Sequence, residues 1–113
     1  SVWDVAAIEA RYPLAGEWVR VNTLPNSVVL ANQDSGSLRW YGERQTLRWD
    51  LIAPDELAQT VAALESRDAQ VYVALEGDEV AMFDAKFANV LQELQVDHIG
   101  RIRNVQFLRI SKK

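Results

Sequence analysis

The stretch NQDSGSLRWYGERQTLRWD, residues 32–50, holds the residue types best suited to chemistry in this chain. Arginine guanidinium groups bind phosphates and carboxylates through paired hydrogen bonds, and aromatic rings offer flat apolar faces. Such a set could hold a saccharide or a lipid phosphate. We favour the structural alternative, in which Tyr41 and Trp49 pack at the edge of the core and the arginines pair with local acids. The residues concerned are Arg39, Trp40, Tyr41, Arg44, Arg48 and Trp49.

The turn formed by Ser35, Gly36 and Ser37 follows a predicted strand and precedes a predicted helix, where phosphate loops occur in Rossmann-like folds. The segment lacks both the G-x-G-x-x-G pattern and the G-K-[ST] lysine, however. An ordinary turn, with Asp34 or Ser35 capping the next helix, is therefore the favoured interpretation. If the segment binds a ligand, the residues that we expect to contact it are Ser35, Gly36, Ser37, Arg39, Trp40 and Tyr41.

No catalytic residue, metal site or cofactor is predicted. The chain has one histidine, His98, next to Asp97, and no cysteine. One histidine beside one carboxylate makes neither a catalytic triad nor a zinc site, so we expect His98 in a strand or at the solvent edge. The paired acids at 55–56 and 78–79 fall where helices begin, and the helix dipole explains them there.

Composition indicates a single α/β domain over residues 1–113. Hydrophobic content is 49% and charged content 25%, which is ordinary for a globular domain. The net charge of −4 argues against nucleic acid as a partner. Residues 50–97 hold eleven acids and two bases, whereas residues 98–113 hold five bases and no acid. We interpret these as solvated helix faces and a basic tail. The chain starts abruptly inside a helical pattern, so we expect a fragment of a larger protein.

Hydrophobic periodicity and turn residues predict helices alternating with strands. Pro13 should break or kink the first helix, and Trp18, Val21 and Leu24 should face inward in the second. Predicted helices cover 2–12, 15–25, 36–43, 53–67 and 78–94. Predicted strands cover 27–32, 46–50 and 70–77, with one or two more in 96–113 that turn near Arg103 and Asn104. The last long helix should bury Val80, Phe83, Phe87, Val90, Leu91 and Leu94.

This alternation predicts an α/β fold, specifically a three-layer Rossmann-like sandwich. The sheet should be mainly parallel, with four or five strands and a C-terminal antiparallel hairpin.

The segments LPNSVVLANQDSGSLRWYGERQTLRWD and ELAQTVAALESRDAQVYVALEGDEVAMFDAKF resemble a known family. They are similar to the soluble C-terminal region of bacterial multi-spanning glycosyltransferases related to dolichyl-phosphate-mannose–protein mannosyltransferases and to the aminoarabinose transferases. The resemblance covers roughly residues 14–110, and SGSLRWYGERQTLRWD is its most specific part.

The resemblance implies a non-catalytic domain at the extracytoplasmic, periplasmic face of a bacterial inner membrane. Sugar transfer from a lipid-linked donor would take place in a membrane part that lies upstream. The partners implied are that transmembrane region of the same chain and a lipid-linked sugar or glycan acceptor. A rival hypothesis is a free-standing small α/β module that binds a nucleotide or a sugar phosphate at the loop after the first strand.

Overall fold

The computed structural model describes residues 5–32 and 42–113, and only the helical backbone of residues 5–13. The described elements are α1 (Val5–Asn22), β1 (Ser27–Leu30), β2 (Gln45–Leu47), two 3₁₀ turns (Trp49–Leu51 and Pro54–Glu56), α2 (Leu57–Glu65), β3 (Gln70–Glu76), α3 (Glu79–Lys86), α4 (Ala88–Leu91), β4 (Leu94–Ile102) and β5 (Val105–Lys112).

The strands form one five-stranded sheet in the order β2-β1-β3-β5-β4. β1 pairs in parallel with β2 and β3, whereas β5 pairs antiparallel with β3 and β4. The mixed α/β class, five strands and a C-terminal hairpin are therefore confirmed. The expected mainly parallel sheet is wrong, because β4 and β5 have nine and eight residues while β1 and β2 have four and three. Most of the paired length is therefore antiparallel.

Successive residues of a strand point to opposite sides of the sheet, so the central strands present apolar side chains to both faces. Helices cover both of these faces. One face carries the larger cluster, in which Val28, Leu30 and Val73 meet α2, α3 and α4. On the other face, Val29 and Ala74 meet α1. Each central strand is thus buried on both sides, which explains why SVVL reads as a continuous apolar run.

Two predictions for the N-terminal helices are wrong. α1 continues through Pro13 as one helix, so the predicted break into two helices is not found. A proline removes one backbone hydrogen bond, and packing of α1 against the sheet through Ala15 and Val19, both fully buried, favours keeping the helix. Val21 and Leu24 point outward, with 65% and 57% exposure.

The predicted helix over 78–94 is two helices with a break at Phe87, whose φ of −108° and ψ of 18° are not helical. Leu94 is buried as expected, but as the first residue of β4. The hairpin turn at Arg103 and Asn104 is confirmed, with Arg103 at φ 53°.

β4 forms one edge of the sheet and contains an irregularity between His98 and Gly100. This bulge lets Ile102 join the α1 face, although Leu94 and Val96 lie on the opposite face. A bulged edge strand also resists unwanted pairing with other chains.

Within the ranges 5–32 and 42–113, no helix is long and apolar enough to cross a membrane.

Candidate functional site

The parallel strands β1, β2 and β3 all end at one edge of the sheet, which we call the carboxyl edge. Asn32 follows β1, Arg48 follows β2 and Gly77 follows β3 at this edge. Open α/β sheets bind their ligands outside the carboxyl ends of parallel strands. The segment after β1, which the sequence singles out, therefore leaves the sheet at the position where a ligand site is expected.

The six residues predicted to contact a ligand all lie outside the described residues, as does Asp34. They are Ser35, Gly36, Ser37, Arg39, Trp40 and Tyr41. Their flanks are described, and three of the predicted arginine and aromatic residues, at 44, 48 and 49, lie in the downstream flank.

Arg44 is buried, with 8% exposure, and all five of its guanidinium N–H groups have acceptors. Nε donates to Thr23 Oγ1 at 3.1 Å, and Nη2 donates to the carbonyls of Thr23 and Arg20 at 2.9 and 3.2 Å. Nη1 donates to the carbonyls of Gly42 and Glu43 at 3.2 and 3.1 Å. We call this arrangement the Arg44 clasp. It ties the end of the loop segment to the C-terminal end of α1.

The charge of the Arg44 guanidinium is stabilised in the clasp although the clasp contains no carboxylate. The last carbonyls of a helix lack intrahelical partners and carry partial negative charge, which favours a cation there. Thr23 strengthens the same end, because its hydroxyl donates to the Val19 carbonyl at 2.6 Å. The expected pairing of Arg44 with an acid is therefore wrong. With every donor occupied, Arg44 has none left for a phosphate.

Arg48 pairs with a local acid, as predicted. Its Nη2 and Nε donate to the two carboxylate oxygens of Asp50 at 2.6 and 3.1 Å. The Asp50 backbone N–H donates to Asn32 Oδ1 at 3.2 Å. The residue after β1 is thereby tied to the turn after β2, so both ends of the loop segment are anchored.

Trp49 is a core residue, with 2% exposure, and lies deeper than the predicted core edge. Its ring packs edge-on against Phe83 at a centroid distance of 5.4 Å and against Phe87 at 6.3 Å. Lys86 fastens the same turn, because its Nζ donates to the carbonyls of Trp49 and Asp50 at 3.3 and 2.9 Å. Trp49 is therefore not available to stack on a ligand, and Lys86 has a structural role at this turn.

Acidic residues line the carboxyl edge beside β3. Glu76 and Glu79 are buried, and the Glu76 backbone N–H donates to Glu79 Oε1 at 2.8 Å. An open cavity of about 390 Å³ lies here. Its lining residues are Glu76, Gly77, Asp78, Glu79, Met82 and Asn104.

The β4–β5 turn closes one side of this cavity. Gly77 has φ 56°, which suits glycine, and its N–H donates to the Asn104 carbonyl at 3.0 Å. The acids at 78–79 lie at the start of α3, as predicted. Asp78 makes no capping hydrogen bond, and the Glu79 carboxylate accepts the N–H of the preceding strand residue.

The remaining predicted candidates do not converge on a site. His98 lies exposed in β4, as expected. Asp55 and Glu56 lie in the 3₁₀ turn before α2, where the helix dipole favours them. Among the described residues, no three histidine or acidic side chains come together to hold a metal ion.

Comparison of the chain with protein-family models, curated proteins and solved structures finds no match. The interpretation of the carboxyl edge therefore depends on its own geometry and on the resemblance described above.

The sequence analysis missed Thr23 and Asn104 as parts of this region. Thr23 lies near the end of the predicted helix over 15–25, two residues before Pro25, and a proline is usual near a helix end. Asn104 lies at the predicted hairpin turn. Neither signal reveals the long-range partner, Arg44 or Gly77, that makes the residue important.

Proposed function

We propose that this chain is a non-catalytic extracytoplasmic domain of a bacterial membrane glycosyltransferase. Sugar transfer from a lipid-linked donor takes place in the membrane part of the same protein, and this domain presents the loop after β1 to that part or to a glycan acceptor. It sits at the periplasmic face of the inner membrane.

The observation that carries the proposal is the anchoring of the described residues on both sides of residues 33–41. The Asp50 N–H donates to Asn32 on one side, and the Arg44 clasp holds Gly42 and Glu43 to the end of α1 on the other. Arg44 and Arg48 form hydrogen bonds within the domain, and Trp49 is buried in the core. The described half of the motif therefore has a structural role, which is to support the loop. A loop held by a rigid scaffold is the usual arrangement for recognition.

The proposal includes a finer description of the fold, a three-layer Rossmann-like sandwich. The strand order β2-β1-β3 with parallel pairing supports it, as do helices on both faces of the sheet. In this description β5 and β4 extend the doubly wound part as an antiparallel appendage.

The complete reading frame of the gene is the first test. We expect several segments of about 20 apolar residues, each able to cross a bilayer, before the position of Ser1. A reading frame that starts at or near Ser1 contradicts the proposal.

A transfer assay with the complete protein is the second test. Membranes that contain it should transfer sugar from a lipid-linked donor, and the isolated 113-residue chain should show no transfer. In the complete protein, replacing Arg39, Trp40 and Tyr41 by alanine should reduce transfer while the protein still accumulates normally. Turnover by the isolated chain would overturn the non-catalytic assignment.

A second candidate function is a module that binds a nucleotide or a sugar phosphate at the loop after β1. The observation that favours it is that β1 ends at the carboxyl edge of the parallel strands, where open α/β sheets bind their ligands. Titration of the isolated chain with nucleotides and sugar phosphates, followed by tryptophan fluorescence, tests it. A saturable change that Ser35→Ala and Arg39→Gln remove supports binding, and an unchanged signal across the panel counts against it.

A further inference from the structure

An open cavity of about 330 Å³ lies beside β2, on the face of the sheet that α2 covers. Among the described strands, β2 stands at the end of the sheet and has β1 as its one neighbour. The volume falls within the range of small-ligand sites. We call this cavity the β2 groove. Its lining residues are Val28, Gln45, Thr46, Leu47, Leu64 and Arg67.

The β2 groove has an apolar wall that is open to solvent. Leu47 is 41% exposed, although its partner in β1, Leu30, is fully buried under the helices. Leu64 of α2 is half-buried on the other side, and Val28 forms the floor. Covering this leucine with another apolar side chain would remove apolar surface from water, which is favourable.

The backbone of Thr46 offers hydrogen bonds that β1 does not use. Backbone groups of successive residues in a strand point to opposite sides of the strand within the sheet. The Leu47 carbonyl accepts the Ala31 N–H at 2.9 Å, so Leu47 faces β1. The N–H and the carbonyl of Thr46 therefore face away from β1. Exposed groups of this kind at a sheet edge pair with extended peptides.

Arg67 gives the β2 groove its positive charge, and none of the six lining residues is acidic. Its side chain is exposed. Among the residues that the structure describes, it makes neither an ion pair nor a side-chain hydrogen bond. Glu65, two residues earlier, accepts the Lys112 N–H at 3.0 Å instead. The guanidinium of Arg67 is thus accessible, and its planar fork fits a carboxylate.

We propose that the β2 groove binds an extended acidic peptide of a partner protein. The peptide backbone pairs with Thr46, an apolar side chain covers Leu47, and a carboxylate binds Arg67. Side chains two positions apart in an extended chain lie on the same side, so the peptide carries an apolar and an acidic residue separated by one position. The inference does not depend on the proposed function, because no lining residue comes from the turns at the carboxyl edge.

The test compares two acetylated and amidated peptides, Thr-Leu-Thr-Glu-Thr and Thr-Leu-Thr-Gln-Thr. Each is titrated into the isotope-labelled 113-residue chain, and NMR follows the Thr46 N–H and the Arg67 Nε–H. We expect saturable shifts of both signals with the glutamate peptide. Its dissociation constant should be about two- to fivefold lower than that of the glutamine peptide, which is the effect of an exposed ion pair. A third peptide with alanine in place of leucine should bind more weakly.

Variants of the chain assign the contacts. Arg67→Gln should remove the difference between the glutamate and glutamine peptides. Arg101→Gln removes the same charge from β4, at the opposite end of the sheet, and should keep the difference. Thr46→Pro removes the outward N–H and should abolish binding, whereas Thr46→Val should bind like the wild type. An edge strand tolerates proline where the N–H faces outward.

Three results would overturn the proposal. The first is the absence of a saturable shift with the glutamate peptide. The second is a preference for the glutamate peptide that survives Arg67→Gln, which does not require Thr46→Pro to fold. The third is a shift at Thr46 and Arg67 that grows with protein concentration alone, which would assign the β2 groove to a second copy of the chain. Backbone spectra verify that each variant is folded.

Discussion

The two faces of the sheet are covered in different ways. On the α2–α4 face, large side chains fill the space, and Trp49, Phe83 and Phe87 form one aromatic group below the helices. On the α1 face, the small Ala15 and Val19 meet the strands, and Trp18 stacks flat on Phe107 at 4.2 Å.

This difference shows two ways of holding a helix on a sheet. The α2–α4 face depends on buried apolar volume, which many combinations of side chains could supply. The α1 face depends on a few contacts of defined shape. Gly100 leaves room for the Trp18 ring, and the Arg44 clasp closes the end of α1. We therefore expect substitutions to act through cavity volume on the first face and through specific partners on the second.

Trp49→Ala should have the largest effect. It empties the centre of the aromatic group and should lower the free energy of unfolding by about 3–5 kcal/mol. Denaturant unfolding measures this loss. Leu51→Ala is the control, because Leu51 lies in the same turn but is 76% exposed, and its change should stay within about 0.5 kcal/mol. Similar losses in the two variants would contradict the volume argument.

Gly100→Ala tests shape on the α1 face. A Cβ at this position would overlap Trp18 Cζ2 and lie 2.9 Å from Cε2. We expect a loss of about 1–3 kcal/mol in unfolding free energy. In a Trp18→Ala background the same substitution should cost much less, a coupling of at least about 0.5 kcal/mol. If the two losses add independently, Trp18 is not the reason for glycine at this position.

Glu17→Gln should have the smallest effect, and one that depends on pH. Arg20 donates to both Glu17 oxygens on the exposed side of α1, and this hydrogen bonding lowers the pKa of Glu17 below its model-compound value of 4.5. A lowered carboxyl pKa stabilises the fold above pH 4.5, and this contribution disappears as pH falls through the folded-state pKa. The melting temperature of the variant should thus lie slightly below that of the wild type at pH 7, and the difference should shrink as the pH falls below 4.5. A difference that persists in acid would contradict the ion pair as its cause.

The sequence predicts the α2–α4 face of the sheet well and the α1 face poorly. The apolar pattern identified β1, β3 and the buried Phe83 and Phe87, since burial and period determine them. It failed at Val21 and Leu24, because α1 turns Ala15 and Val19 toward the sheet and ends at Asn22, before Leu24. It also placed Leu94 in a helix, because one buried leucine fits either element.

The position of the candidate site stays a prediction, because Ser35, Gly36, Ser37, Arg39, Trp40 and Tyr41 lie outside the described residues, and the roles of the described flanking residues were not predictable. A segment after the first parallel strand is a usual ligand position, and the turn residues at 35–37 indicated it. The role of Arg44 could not be predicted, because its partners Arg20 and Thr23 lie more than twenty residues away and contribute backbone carbonyls. The reason for Gly100 is equally long-range, since it depends on Trp18.

The unfolding free energy of Arg44→Lys, compared with that of Arg48→Lys, tests the central claim most directly. Lysine has fewer donors and no fork, so it leaves buried carbonyls at the end of α1 without partners. Arg44→Lys should therefore cost about 1–3 kcal/mol. Arg48→Lys changes an exposed ion pair and should cost no more than about 0.5 kcal/mol. A negligible loss for Arg44→Lys would contradict the claim that this half of the motif is a support for the loop.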